Sequence, residues 1–233
     1  MIRNFLFSFF FFTGIIFISI TFLPAIFLPK KIVLFGGKMM GYWTSFCLQI
    51  FLSTTIIIKG RENIIKDKKF FIAASHQSMF ETFFLQTVFN SPVFILKSEL
   101  LIIPIFGWYL KKIGSISIKR NKISKENLGF FDDISKQVNS SDRPLIIFPQ
   151  GTRLPPEDRK PFKKGSSRIY EELKIPCQPI AINSGNTWPK NSSKKANTVL
   201  IISILKPIEP GLERRIFLEK LESVIYSELD ILG

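Results

Sequence analysis

Apolar positions along the chain fall into two textures. From 5 to 28 no charge interrupts a run dominated by Phe, Ile and Leu, longer than the roughly 20 residues that carry a helix across a hydrocarbon core. From 54 onward, short β-branched runs alternate with stretches whose apolar residues recur every three to four positions. The first texture predicts a membrane helix, and the second predicts strands and helices in alternation.

Strands are expected at 54–59, 70–74, 93–96, 115–118, 145–148, 178–182 and 199–205, and helices near 80–89, 105–113, 124–138, 166–173 and 215–229. In the last helix Phe217, Leu221, Val224, Ile225 and Leu229 share a face and read as core packing. The alternation predicts an α/β fold, a mixed and mainly parallel sheet flanked by helices, preceded by one or more N-terminal membrane helices. The division is residues 1–53 as membrane-anchoring helices and 54–233 as one catalytic domain. Pro24 and Pro29 are expected to distort the end of the first helix. Residues 33–52 read as a second membrane-embedded or interfacial helix, although Gly36, Gly37 and Gly41 lower its propensity. Arg3 resembles the charged start of a secretory signal, but the apolar run is too long and no A-x-A-like site follows it, so the segment is expected to be retained. Lys30, Lys31 and Lys38 outnumber Arg3 and favour the cytoplasmic face for the rest of the chain.

Composition agrees with a membrane setting. Hydrophobic residues make up 46%, Phe alone numbers 25, and charged residues are only 21%. The formal charge is +14, of which the first 60 residues hold +5 and no acid, leaving 14 − 5 = +9 for the remainder. A basic surface beside an apolar segment suits an anionic bilayer or an acidic carrier, although charge alone would also suit nucleic acid. Cys47 and Cys177 form no CxxC or Cys/His cluster, so neither a disulfide framework nor a zinc site is indicated. They read as buried thiols of a reducing compartment.

His76 is the only histidine, and it follows a strand, where α/β folds keep their sites. Glu81 lies five residues on, as strand gives way to helix. A carboxylate there can accept the ring N–H, fix the tautomer and free the other nitrogen to act as a general base. Ser78-x-x-Glu81 also reads as a capping box, and both roles stay open. Phe148-Pro149-Gln150-Gly151-Thr152-Arg153 again follows a strand, with a glycine that permits close backbone approach and an arginine that can fork onto phosphate. Lys97, and Lys119-Arg120 after the next strand, bring further cations. Any one of these segments alone would pass as ordinary loop or surface chemistry.

Taken in order, the 76–81 block, the 97–120 block, the 148–153 block and Ile175-Pro176-Cys177-Gln178-Pro179-Ile180-Ala181 resemble the four motifs of the glycerophospholipid acyltransferase family, specifically its lysophosphatidate acyltransferases. The resemblance covers about 59–207. It implies a glycerol-3-phosphate acyltransferase-like fold with His76 as base and Glu81 as its partner. Lys97, Arg120, Gln150, Gly151, Thr152 and Arg153 would lie on the substrate side, with Arg153 on the acceptor's phosphate. It further implies acyl-CoA or acyl carrier protein as co-substrate and no other cofactor, lysophosphatidate and membrane lipid as partners, and no nucleic acid. The expected location is the cytoplasmic face of a bacterial inner membrane. Two positions depart from the family pattern. Glu81 stands where Asp is usual and is one methylene longer; Gln150 stands where Glu is usual and removes a charge. An acceptor such as a lyso-ornithine lipid is the alternative within the family. Outside it stand a non-catalytic lipid- or nucleic-acid-binding protein and a serine or cysteine hydrolase, the latter lacking a G-x-S-x-G elbow.

Overall fold

The protein is described from a computed structural model, which covers residues 1–118 and 129–233. All seven expected strands form: β1 (Thr55–Lys59), β2 (Phe71–Ala74), β3 (Val93–Lys97), β4 (Ile116–Ile118), β5 (Leu145–Ile147), β6 (Cys177–Ile182) and β7 (Val199–Ile204). They make one mixed sheet in the order β1-β7-β6-β2-β5-β3-β4, and only the β6–β7 pair is antiparallel. β2 is flanked by β5 and β6, with Ala73 opposite both Ile147 and Pro179. Because these three strands are parallel, the loops that leave their C-terminal ends emerge side by side. Those are the loops that carry His76, Gln150 to Arg153, and Ser184.

Strand residues alternate between the two faces of the sheet. Phe71, Ala73, Leu145 and Ile147 join a core closed by α5 (Phe130–Asn139), α6 (Gly165–Leu173) and α7 (Arg214–Leu232). Ile72, Ala74, Ile146, Ile180 and Leu200 join a second core with Phe7, Phe11, Cys47, Leu48 and Leu52 of the N-terminal helices and Phe80, Phe84 and Leu85 of α3 (Phe80–Val88). The N-terminal segment therefore supplies one wall of the fold.

That segment is a hairpin. The apolar run expected as one helix breaks: α1 (Ile2–Thr21) ends before a short 3₁₀ turn at Leu23–Phe27 whose first residues include Pro24, and Pro29 caps α2 (Lys30–Leu52). Proline tolerates the first turn of a helix but not its interior, which sets these breaks. α2 runs unbroken through its glycines. A Cβ on Gly41 would lie 2.6 Å from the Phe83 carbonyl oxygen, and one on Gly37 would lie 2.4 Å from the Gln86 side-chain oxygen. The glycines cost helix propensity and gain close approach to α3.

Both ends of the hairpin are tied to the domain. Arg3 donates to Ser53 Oγ at 2.8 Å and to Asn197 Oδ1 at 3.2 Å, and at the far end of α1 the Tyr109 hydroxyl donates to the Ser19 carbonyl at 2.6 Å. Midway, Phe7 and Phe11 meet the Trp188 ring edge-on. The outer face of α1 exposes Phe5, Phe9, Phe12, Ile16, Phe17 and Ile20. Of the remaining helices, α4 spans Phe106–Lys112. The helix expected at 124–138 starts at Phe130 in the described structure, and Arg120 lies outside the described residues.

Candidate active site

β2 is wholly buried and ends at Ala74, so the chain must leave the sheet there. Ser75 fastens the exit: its hydroxyl accepts the Ile182 N–H at 2.8 Å, across to the end of β6. The next residue, His76, is held on both sides of its backbone by the loop after β5. Its N–H donates to Gln150 Oε1 at 2.6 Å, and its carbonyl accepts the Leu154 N–H at 2.9 Å. Its ring stacks on Phe148, with centroids 4.1 Å apart and planes 18° from parallel. Backbone and ring are thus fixed before any partner of the ring nitrogens is considered.

Glu81 is fully buried at the start of α3. Its Oε1 accepts the N–H groups of Gln77 and Ser78, each at 3.1 Å, and the Ser184 hydroxyl; Oε2 accepts the Ser78 N–H at 3.2 Å. His76 Nδ1 faces Oε2 at 3.4 Å, without the alignment of a hydrogen bond. Catalytic contacts in unliganded sites are often this long and tighten when substrate binds. The geometry accommodates both roles read from the sequence, although the helix takes Met79 and not Ser78 as its N-cap. The carboxylate reaches back to Ser78 N–H as a capping box does, Ser78 Oγ accepts the Phe80 N–H at 2.8 Å, and the other carboxylate oxygen faces the imidazole. A buried carboxylate is costly unless its lone pairs are filled, and these donors fill them.

In front of His76 opens a cavity of about 560 Å³. Val33, Gly36, Gly37 and Met40 of α2 form one side, Met79 and Phe83 another, and Phe94, Leu96, Phe106 and Leu110 the third. Three cations line it, Lys97, Arg153 and Lys190, and no carboxylate among the described residues does. Arg153 makes no hydrogen bond or ion pair among the described residues, and is free to meet an anion. Thr152 also lines the cavity.

Gln150 and Gly151, expected on the substrate side, do not line the cavity. Gly151 takes φ +73° in the turn that closes on the Phe148 carbonyl, a conformation in which glycine is unstrained. Gln150 is buried and accepts the His76 N–H, and its side chain lies by the Tyr226 hydroxyl. Burial raises the pKa of the Tyr226 hydroxyl, and the neighbouring Gln150 side chain opposes that shift. Gln150 thus supports the histidine loop. The sequence also hid Ser184, Gln77, whose side chain accepts the Gly185 N–H at 2.9 Å, and the α2 residues of the cavity wall. Of these only the Gly36-Gly37 pair left a signal, a place on a helix where side chains had to be absent.

A histidine backed by a buried carboxylate can take a proton from a hydroxyl. Cations beside it can hold an anionic head group, and the apolar walls can hold a hydrocarbon chain. Comparison with known proteins agrees with that chemistry. The profile of the Acyltransferase family matches residues 55–183. The chain is 34% identical over 148 residues to the 1-acyl-sn-glycerol-3-phosphate acyltransferase of Pseudomonas aeruginosa, covering 62% of this chain and 56% of that one. It is 28% identical over 184 residues to the enzyme of the same name from Saccharomyces cerevisiae, covering 75% and 60%. The chain thus spans less than two thirds of the length of these curated relatives. In fold it is similar to the crystal structure of the 1-acyl-sn-glycerophosphate acyltransferase PlsC from Thermotoga maritima, with a TM-score of 0.79, 23% identity, and 99% and 96% of the two chains covered. The matched segment begins with β1, ends just past β6 and includes both loops that fix His76, and by that match the chain belongs to the Acyltransferase family.

Proposed function

We propose that the chain transfers a fatty acyl group from an acyl thioester, acyl-CoA or acyl carrier protein, to the sn-2 hydroxyl of 1-acyl-sn-glycerol-3-phosphate and so makes phosphatidate. One observation carries the reading: His76, backed by buried Glu81, opens into an apolar cavity that also holds Arg153 and Lys97. In this reading Nδ1 is held by Glu81 and the other ring nitrogen takes the acceptor's hydroxyl proton. The alkoxide oxygen attacks the thioester carbon, the tetrahedral adduct collapses with loss of the thiolate, and the proton leaves on the thiol. General base catalysis of this kind supplies about 10² to 10⁴ in rate. Arg153 forks onto the acceptor's phosphate.

The hairpin supports a location in one leaflet. α1 is long and apolar enough to cross a membrane by length and composition, yet both its ends bond to the domain while Phe5, Phe9, Phe12 and Phe17 face outward. A helix apolar all round with one face on protein needs lipid on the other. The hairpin thereby anchors residues 54–233 to a membrane, on the cytoplasmic face by its lysine balance.

The test is to incubate the purified protein with lysophosphatidate and each acyl thioester, following free thiol and phosphatidate together. Equal appearance of both is expected. Thiol release without phosphatidate would identify a hydrolase, and neither product would leave only lipid binding. A preference for lyso-ornithine lipid over lysophosphatidate would reassign the acceptor.

A further inference from the structure

The segment from the end of β3 into α4 carries an exposed apolar surface apart from that of α1. Ile102 is 80% exposed, Ile103 44%, Phe106 38% and Trp108 52%. Scattered apolar residues need no explanation, but a contiguous patch does. The backbone beneath it is strained. Ile105 sits at φ +62° and ψ −58°, at the centre of a γ-turn closed by the Phe106 N–H on the Pro104 carbonyl at 2.6 Å. This positive-φ turn is rare, and rarer still for a β-branched residue. Next to it a Cβ on Gly107 would lie 2.2 Å from the Leu101 carbonyl oxygen, so the turn is pressed onto the preceding 3₁₀ segment. Strain of this kind persists only where the surroundings hold it, and it clusters at sites of function.

Two features say what covers the patch. The first is continuity with the hairpin. Ile105, Tyr109 and Ile113 pack with Phe22, Ala25, Ile26 and Val33, and Tyr109 is hydrogen-bonded to the end of α1, so the strained turn sits against the hairpin's own turn, where Phe27 and Leu28 are exposed. The second is charge. Lys111 and Lys112 end α4, Lys30 and Lys31 begin α2, and Lys30 Nζ lies beside Gly114 just past α4. An apolar surface holding an exposed Trp and rimmed by lysines matches the boundary between acyl chains and anionic head groups.

We infer that residues 102–108 form a second bilayer-inserted element, which enters the same leaflet as the hairpin of residues 1–53 and forms the opposite lip of the cavity mouth. This rests on the reading of the hairpin as a bilayer element. Phe106 belongs both to this surface and to the cavity wall, opposite Phe22 and Val33 of the hairpin. An acceptor held in the leaflet therefore meets apolar surface on both lips as it moves toward His76.

The full chain, carrying Cys47→Ala and Cys177→Ala, is reconstituted in vesicles of phosphatidylglycerol and phosphatidylethanolamine with a nitroxide at one of three introduced cysteines. Ile102→Cys is the probe, Phe9→Cys the hairpin reference and Lys220→Cys, exposed on α7, the water reference. Collision with oxygen, which concentrates in hydrocarbon, is compared with collision with a water-soluble nickel chelate. The label at 102 is expected to match that at 9 and to oppose that at 220. A label at 102 as open to nickel as that at 220, with the label at 9 still in lipid, overturns the inference and leaves the hairpin standing. A label at 102 hidden from both reagents means that a second protein copy covers the patch, and also overturns it. A label at 9 open to nickel removes the hairpin reading and the inference together. As a kinetic check, Ile102→Asn with Ile103→Asn is expected to raise KM for long-chain lysophosphatidate in vesicles by about tenfold, the scale of one large apolar side chain withdrawn from lipid. kcat/KM for a short-chain, water-soluble acceptor stays unchanged. An unchanged KM in vesicles contradicts the inference.

Discussion

α1 and α7 have 20 and 19 residues; α7 lays an apolar stripe on one face of the sheet, and α1 turns its own into the core on the other face. Their outer faces differ. α7 turns Arg215, Glu219 and Lys220 outward, whereas α1 turns out Phe5, Phe9 and Phe12. The inward stripes obey the same packing rule and say little about surroundings. In the proposed reading the outward faces record the solvent, water on one side and hydrocarbon on the other, and the candidate site would open on the hydrocarbon side. The two layers should therefore fail in different ways when changed: one loses activity, the other stability.

The sharpest break comes at the site. His76→Ala is expected to lower kcat by about 10² to 10⁴ and Glu81→Gln by at least about 10², both with membrane retention intact. The glutamine amide would turn donor hydrogens toward Ser78 N–H and His76 Nδ1, where the carboxylate offers lone pairs. Near-normal turnover of Glu81→Gln in a steady-state assay would remove the dyad and leave Glu81 as a cap alone.

On the water side, Leu221→Ala empties a fully buried position of α7. It should cost about 2 to 5 kcal/mol of stability, read as an earlier denaturant midpoint, while the rate per folded molecule stays the same. A fall in kcat at full folding would mean that α7 reaches the chemistry and that the division between layers is false.

A smaller effect separates the cavity's own cations. Arg153→Lys keeps the charge and loses the planar fork, so acceptor KM should rise about tenfold, the order of one charge-assisted hydrogen bond, with donor KM little changed. The reverse pattern would move Arg153 to the carrier.

The smallest effect is expected at the thiols. Cys177 is fully buried, and burial pushes its thiol well above the usual range despite a backbone hydrogen bond from Ala73; Cys47 is likewise buried. A thiol held protonated is a poor nucleophile. Cys47→Ala and Cys177→Ala should keep full acyl transfer, and mass spectrometry of quenched enzyme should find no acyl group on either cysteine.

What could be read beforehand followed from how local the signal is. Seven strands were legible because each is a short apolar run bounded by Gly, Pro or charged residues, and the motif blocks were legible because their chemistry sits in a few consecutive positions. Ser184 was not, since its partner Glu81 is 103 positions away and a lone buried serine leaves no pattern. The glycines of α2 pointed to a weak helix because propensity is a local quantity, whereas their use depends on α3. Gln150 resembled a substrate residue by its motif, and only the sheet order shows that β5 delivers it beneath His76.

The nearness of the Gln150 side chain to the Tyr226 hydroxyl bears on which residue position 150 can hold. The Tyr226 hydroxyl gives its hydrogen to the Lys160 carbonyl at 2.5 Å, so toward residue 150 it offers only lone pairs, and an amide N–H suits them where a carboxylate oxygen does not. The family's usual glutamate would place two acceptors face to face in a buried setting. Gln150→Glu is therefore expected to cost stability in this background, and to cost less once Tyr226 is replaced. A double-mutant cycle of Gln150→Glu with Tyr226→Phe should give a coupling energy of about 0.5 to 3 kcal/mol, where independent sites would give almost none. What residue 150 can be is thus set in part by α7.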